Sequence, residues 1–96
     1  MKQDVTSLTD ASERVKKMNP ISYRMINNPE ALCEGFLAHE LQEAVPWAVR
    51  GVKDEVDVDG KPVYQQVAES AIIPTLAAAL KEALLRIEEL EKRLGV

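Results

Sequence analysis

Apolar positions recur with different periods along the chain, and the changes of period mark its elements. Between residues 6 and 18, Leu8, Ala11, Val15 and Met18 fall at helical spacing, with Asp10, Glu13, Arg14 and Lys17 on other faces, which predicts a short amphipathic first helix. Ser7 with Asp10 three residues on has the form of a capping box, and Asn19-Pro20 ends the helix because the residue before a proline avoids the α region. Ile21, Tyr23 and Met25 then alternate with Ser22 and Arg24, the period of a half-buried strand over 21–25, and Asn27-Asn28-Pro29 supplies turn chemistry. The apolar run Gly35-Phe36-Leu37-Ala38 predicts a strand that enters a short helix over 39–45, where Leu41, Ala44 and Val45 share a face before Pro46. Further on, Val52, Val56, Val58, Val63 and Val67 surround Asp59-Gly60, a dipeptide that tolerates the positive φ of a tight turn, so a β-hairpin is expected there with Pro62 on an edge.

The longest periodic segment runs from Ala71 to Leu94, with Pro74 near its start, where a missing amide donor costs least. Ile73, Leu76, Leu80, Ala83, Ile87, Leu90 and Leu94 follow a 3-4 spacing over three heptads, which is the seam of a coiled coil. With Ile73 at position a, Arg86 falls at g and Glu91 at the following e, so parallel neighbours can pair Arg86 with Glu91 between chains. Mixed Ile and Leu in the seam suit a trimer as well as a dimer, and Leu84 at e and Leu85 at f widen the apolar surface beyond a two-stranded seam, as either a three-stranded bundle or docking of the stripe onto the β-elements of its own chain would require. Glu82 with Arg86, Glu88 with Lys92 and Glu89 with Arg93 are acid-first i,i+4 pairs that support the helix itself. The residues thus predict one α+β domain over 1–96: a body over 1–70 of short helices and a β-hairpin, and a helix over 71–94 that assembles with copies of itself.

Composition narrows the functions open to such a chain. Its 96 residues are too few for two independent cores, and a net charge of -4, from 12 basic against 16 acidic side chains, disfavours binding to nucleic acid. No apolar run approaches the length of a membrane span, so no membrane partner is expected. One cysteine and one histidine fall short of a disulfide or a structural zinc site, and no cofactor motif is present. Cys33 and His39 are the only pair suggestive of thiol catalysis, yet a lone cysteine beside Leu32 reads more simply as a small buried hydrophobe. The acidic run Asp54, Glu55, Asp57 and Asp59 has the look of a calcium loop, but its twelfth position is Gln65 rather than a bidentate glutamate.

The segment Gly35-Phe36-Leu37-Ala38-His39-Glu40-Leu41-Gln42-Glu43-Ala44-Val45-Pro46 closely resembles the signature of the C-terminal intramolecular chaperone domain of phage tailspikes and tail fibres, of the endosialidase type. Asn19-Pro20-Ile21-Ser22-Tyr23-Arg24 before it, Val58-Asp59-Gly60-Lys61-Pro62-Val63-Tyr64 after it, and Ile73-Pro74-Thr75-Leu76 at the head of the heptad helix keep the same order. The resemblance implies a homotrimer, built as a parallel trimeric coiled coil, that registers three copies of the upstream fibre or spike segment of its own polypeptide. It also implies serine-lysine self-cleavage at the N-terminal boundary, with work in the host cytoplasm during phage assembly and release or retention on the virion afterwards. Met1-Lys2-Gln3-Asp4-Val5 looks like the end of the family's cleavage junction, which places Lys2 as the catalytic base. The family's serine would sit five residues before Lys2, so the chain as given carries the base without the nucleophile and is expected to be inactive. Met1 then either opens an excised domain cut short of that serine or starts a separately encoded one. Ser12-Glu13-Arg14-Val15-Lys16 is an imperfect echo of the junction, disfavoured because it lies within the first helical stripe. A coiled-coil interaction module without proteolytic role is the alternative function.

Overall fold

The computed structural model describes residues 1–96. In chain order it contains α1 (Ala11–Lys17), β1 (Ile21–Met25), β2 (Asn28–Gly35), α2 (Ala38–Ala44), β3 (Val49–Arg50), β4 (Gln66–Val67) and α3 (Ile73–Leu94), with single 3₁₀ turns at Pro46–Ala48 and Glu69–Ile72. The class is α+β, with short helices, a β-hairpin and a long C-terminal helix. No helix is long and apolar enough to cross a membrane.

The core is small and comes largely from one stretch of sequence. Leu41, Ala44, Val45, Ala48, Val49 and Ile72 form a single buried cluster, with Met18, Phe36, Ala38, Val67 and Ala71 packed around it. Between Phe36 and Val49 the apolar residues fall on one face of α2 and then on the 3₁₀ turn that Pro46 opens, so the segment carrying the family resemblance is also the segment that builds the core. The expected strand over 35–38 is not there: Gly35 ends β2, and Ala38 already begins α2.

β1 occupies the residues expected of it and pairs antiparallel with β2, from Ile21 opposite Gly35 to Arg24 opposite Leu32. β2 lies where turn chemistry was read, because Asn28 and Pro29 belong to the strand and the turn is made by Ile26 and Asn27. Pro29 is tolerated since this sheet has only two strands, so an absent N–H on the outer side interrupts no ladder. The register slips between Arg24 and Met25, and the Arg24 guanidinium donates to the carbonyls of Pro29 (3.0 Å) and Glu30 (3.4 Å) in the irregular stretch.

The expected valine hairpin is mostly a structured loop closed at its base by β3 and β4, with Val49 opposite Val67 and Arg50 opposite Gln66. A lone bridge joins Val56 to Pro62, and Val52, Val56, Val58 and Val63 are exposed rather than inward-facing. The tight turn is as anticipated: Gly60 has φ +79°, and the Asp57 carboxylate accepts from the amides of Asp59 (2.8 Å) and Lys61 (3.0 Å). At the base, Gln65 Nε2 donates to Gln42 Oε1 (2.9 Å) and to the Gly51 carbonyl (3.2 Å), and Gln42 Nε2 donates to the same carbonyl (3.1 Å), tying the loop to α2.

α1 begins later than its apolar stripe suggested. Asp10 is its N-cap, with φ 60° and no side-chain cap, so the Ser7 capping box does not form. α3 starts at Ile73 rather than Ala71, because Glu69–Ile72 form the 3₁₀ turn.

Candidate functional site

α3 turns 100° per residue, which separates its occupied face from its seam. Thr75 is buried and Ala78, Ala79 and Glu82 are half-buried on the side where α1 packs. Small side chains, Ala11 on α1 with Ala78 and Ala79 on α3, allow the two helices to lie close. Ser12 N donates to Glu82 Oε2 at 3.1 Å, and the Ser12 hydroxyl donates to the same oxygen. The Glu82 carboxylate thus takes the place of the missing cap at the start of α1, accepting amide protons that a helix cannot satisfy itself. Its pKa lies below the ordinary carboxylate value, chiefly because of the Ser12 hydroxyl, then the Ser12 amide, with smaller help from the Ala11 amide and the Arg86 charge against some desolvation.

The seam lies about 120° round the helix from that face. Ile73, Leu76, Leu80, Ala83, Ile87, Leu90 and Leu94 are all exposed, the large ones between 42% and 76%. Arg86 and Glu91 make no salt bridge within the chain. Of the three expected i,i+4 pairs only Arg93 with Glu89 forms, at 3.3 Å; Glu82 is engaged by Ser12 instead, and Glu88 with Lys92 stays apart. Leu85 borders a groove with Ser7, Leu8 and Ala78 of its own chain, and both it and Leu84 remain exposed, at 55% and 51%.

Lys2 lies exposed in the segment before α1, which has no regular structure. Ser12 and Lys16 are both on α1, Ser12 bonded to Glu82 and Lys16 Nζ 3.2 Å from Glu13 Oε1, so the imperfect echo of the junction is a folded helix. Cys33 sits half-buried on β2 with its sulfur 4.0 Å from the Ala31 carbonyl, while His39 borders a groove with Gln42, Glu43 and Lys53; no hydrogen bond joins the two. No group of three or more His, Cys, Asp or Glu side chains is placed to hold a metal ion. Sequence reasoning missed the Ser12–Glu82 contact and the Gln42–Gln65 clasp, neither of which leaves a periodic signal.

The whole molecule shares the exposure of its seam. Only 8 of 96 residues are buried. The radius of gyration is 18.0 Å, where a compact chain of this length would have about 12.5 Å. The accessible surface is 8233 Å², against roughly 5,500 Å² for a compact protein of its mass. A fold of this kind belongs to the class of chains that leave an extended apolar helical face open to solvent. Comparison with known families gives the class a name: the chain belongs to the family described as chaperone of endosialidase, whose profile matches residues 1–50. That membership supports an intramolecular chaperone role. The match takes in the first helix, the β1–β2 hairpin, α2 and β3, and stops before α3. No curated protein matches the chain.

Proposed function

We propose that the chain is a homotrimeric intramolecular chaperone. Three α3 helices associate in parallel through Ile73, Leu76, Leu80, Ala83, Ile87, Leu90 and Leu94, with Arg86 of each copy facing Glu91 of the next, and hold three copies of the preceding fibre or spike segment in register. The observation that carries this reading is that the heptad seam is exposed on a helix whose neighbouring face is already occupied by α1. A free apolar seam at heptad spacing is covered most economically by copies of itself.

A β-rich fibre of three intertwined chains must bring distant segments together across separate polypeptides, and it loses association and loop-closure entropy before contacts compensate. Joining three chain ends raises the local concentration of what precedes them to about the millimolar range over a short flexible connection. A heptad seam also favours one alignment over its shifts. Work of this kind takes place in the host cytoplasm while phage fibres assemble. The domain leaves by cleavage at its N-terminal boundary, where Lys2, in its neutral form, takes the proton of a serine five residues upstream. The exposure of Lys2 ahead of the folded body supports this placing, since an extended segment can adopt the geometry that cutting requires.

Sedimentation over a dilution series tests the assembly: a trimer at micromolar concentration is expected, and a monomer throughout overturns it. A fusion of the chain behind a fibre segment, with the serine-containing junction restored, is expected to give a cut product that Lys2→Ala abolishes. Cutting at the same rate in the Lys2→Ala fusion removes Lys2 from the role, and an uncut restored fusion leaves a trimerising module without proteolysis.

A further inference from the structure

Between α1 and α3 runs a groove of about 460 Å³, bordered by Ser12, Val15 and Lys16 on one helix and Ala79, Ala83, Arg86 and Leu90 on the other. Ala83 and Leu90 are seam residues, while Ala79 and Arg86 occupy the g positions beside them, so the groove opens on the g flank of the seam. We propose that this groove is a socket for Leu84 of a neighbouring copy, which makes α1 a part of the subunit interface as well as a brace on its own chain. The proposal rests on the parallel assembly inferred above.

Heptad geometry supplies the occupant. In parallel helices the g residue of one chain faces the e residue five positions later in the next. Ala79 therefore faces Leu84, and Arg86 faces Glu91. Leu84 is the one large apolar side chain at an e position, the others being Ala77 and Glu91, and it is half exposed. A leucine at e needs a small residue opposite and an apolar wall beyond it; Ala79 provides the first and Val15 of α1 the second. Charge agrees with the same placing. Lys16 and Arg86 border the groove, and the incoming helix carries Glu88 one turn and Glu91 two turns beyond Leu84. The Ser12–Glu82 hydrogen bonds hold α1 against α3 and so keep the socket open at its width.

The test pairs Val15→Cys with Leu84→Cys in a Cys33→Ser background, so that no other thiol is present. Under mild oxidation the double variant is expected to give disulfide-linked dimers and trimers on a non-reducing gel, and neither single-cysteine variant should do so. If the reduced protein sediments as a trimer yet oxidation gives only monomers, the socket is refuted and the seam stands. If the reduced protein sediments as a monomer, the socket and the assembly fall together. As a second measurement, Leu84→Ala is expected to raise the trimer's dissociation constant by about tenfold or more with helical content unchanged. An unchanged constant places Leu84 outside the interface.

Discussion

Replacing Leu80 with alanine separates assembly from folding. Leu80 is at position a near the middle of the proposed seam and is 62% exposed in the single chain, so its side chain has most of its burial still to gain. Fully burying a leucine is worth about 1.5–3 kcal/mol, so the part still available is about 1–2 kcal/mol for each chain. Three chains lose about 3–6 kcal/mol together, which weakens a trimer by roughly 10² to 10⁴ in its dissociation constant. The body should be spared, because the buried cluster around Leu41 and Val45 lies elsewhere and does not include Leu80. Sedimentation equilibrium over a concentration series reads the first effect, and the fluorescence of Trp47, which lies under the Arg14 guanidinium at 4.8 Å from the ring centroid, reports on the second. Dissociation with native fluorescence is the expected result. A Leu80→Ala chain that sediments like the parent, or one whose tryptophan signal changes in step with its mass, refutes the placing of the seam.

Leu41→Ala should do the reverse, since it empties a fully buried site in a cluster of six and costs about 2–5 kcal/mol, seen as a large drop in the midpoint of urea unfolding. Gly51 has φ +93° and a Cβ there would meet the Gln65 backbone at 3.3 Å, so Gly51→Ala is expected to cost about 1–2 kcal/mol and to loosen the loop base, measured as faster amide exchange at Gln65 and Gln66. The Glu82 carboxyl has a pKa below its unfolded value near 4.5, so its contribution to stability is complete above that pH and is lost as the pH falls through the lower folded value. Glu82→Gln should therefore flatten the fall in stability below about pH 4.5; superimposable acid limbs for the two proteins would show that the carboxylate does not hold α1.

Local periodicity revealed what local forces decide. α3 was legible because three heptads and an early proline specify both its length and its exposed seam, and β1 because Ile21, Tyr23 and Met25 alternate cleanly. β2 was hidden by Asn28 and Pro29, which favour turns in general but here lie in a two-stranded sheet with an open outer side; the alternation that marks it, Ala31, Cys33 and Gly35, is made of small residues with little hydrophobic contrast. The start of α1 misled for a different reason. Ser7 and Asp10 sit at capping distance, yet the acceptor that α1 uses belongs to Glu82, and no local pattern announces a partner so distant in sequence. In the candidate site, the structure adds that the heptad positions and Lys2 are exposed, while the packing of α1 against α3 left no periodic signal in the sequence.

Ser12 and Glu82 are 70 residues apart. A ribosome adding about 5–20 residues per second takes roughly 4–14 seconds to travel from one to the other. During that interval α1 can pack only against α2 and the 3₁₀ turn after it, where the Arg14 guanidinium lies over Trp47, while the carboxylate that caps it has not yet been made. The acceptor for the first amides of α1 exists only once Glu82 has been added, so the order of synthesis leaves that end of the helix unfinished until α3 is being made.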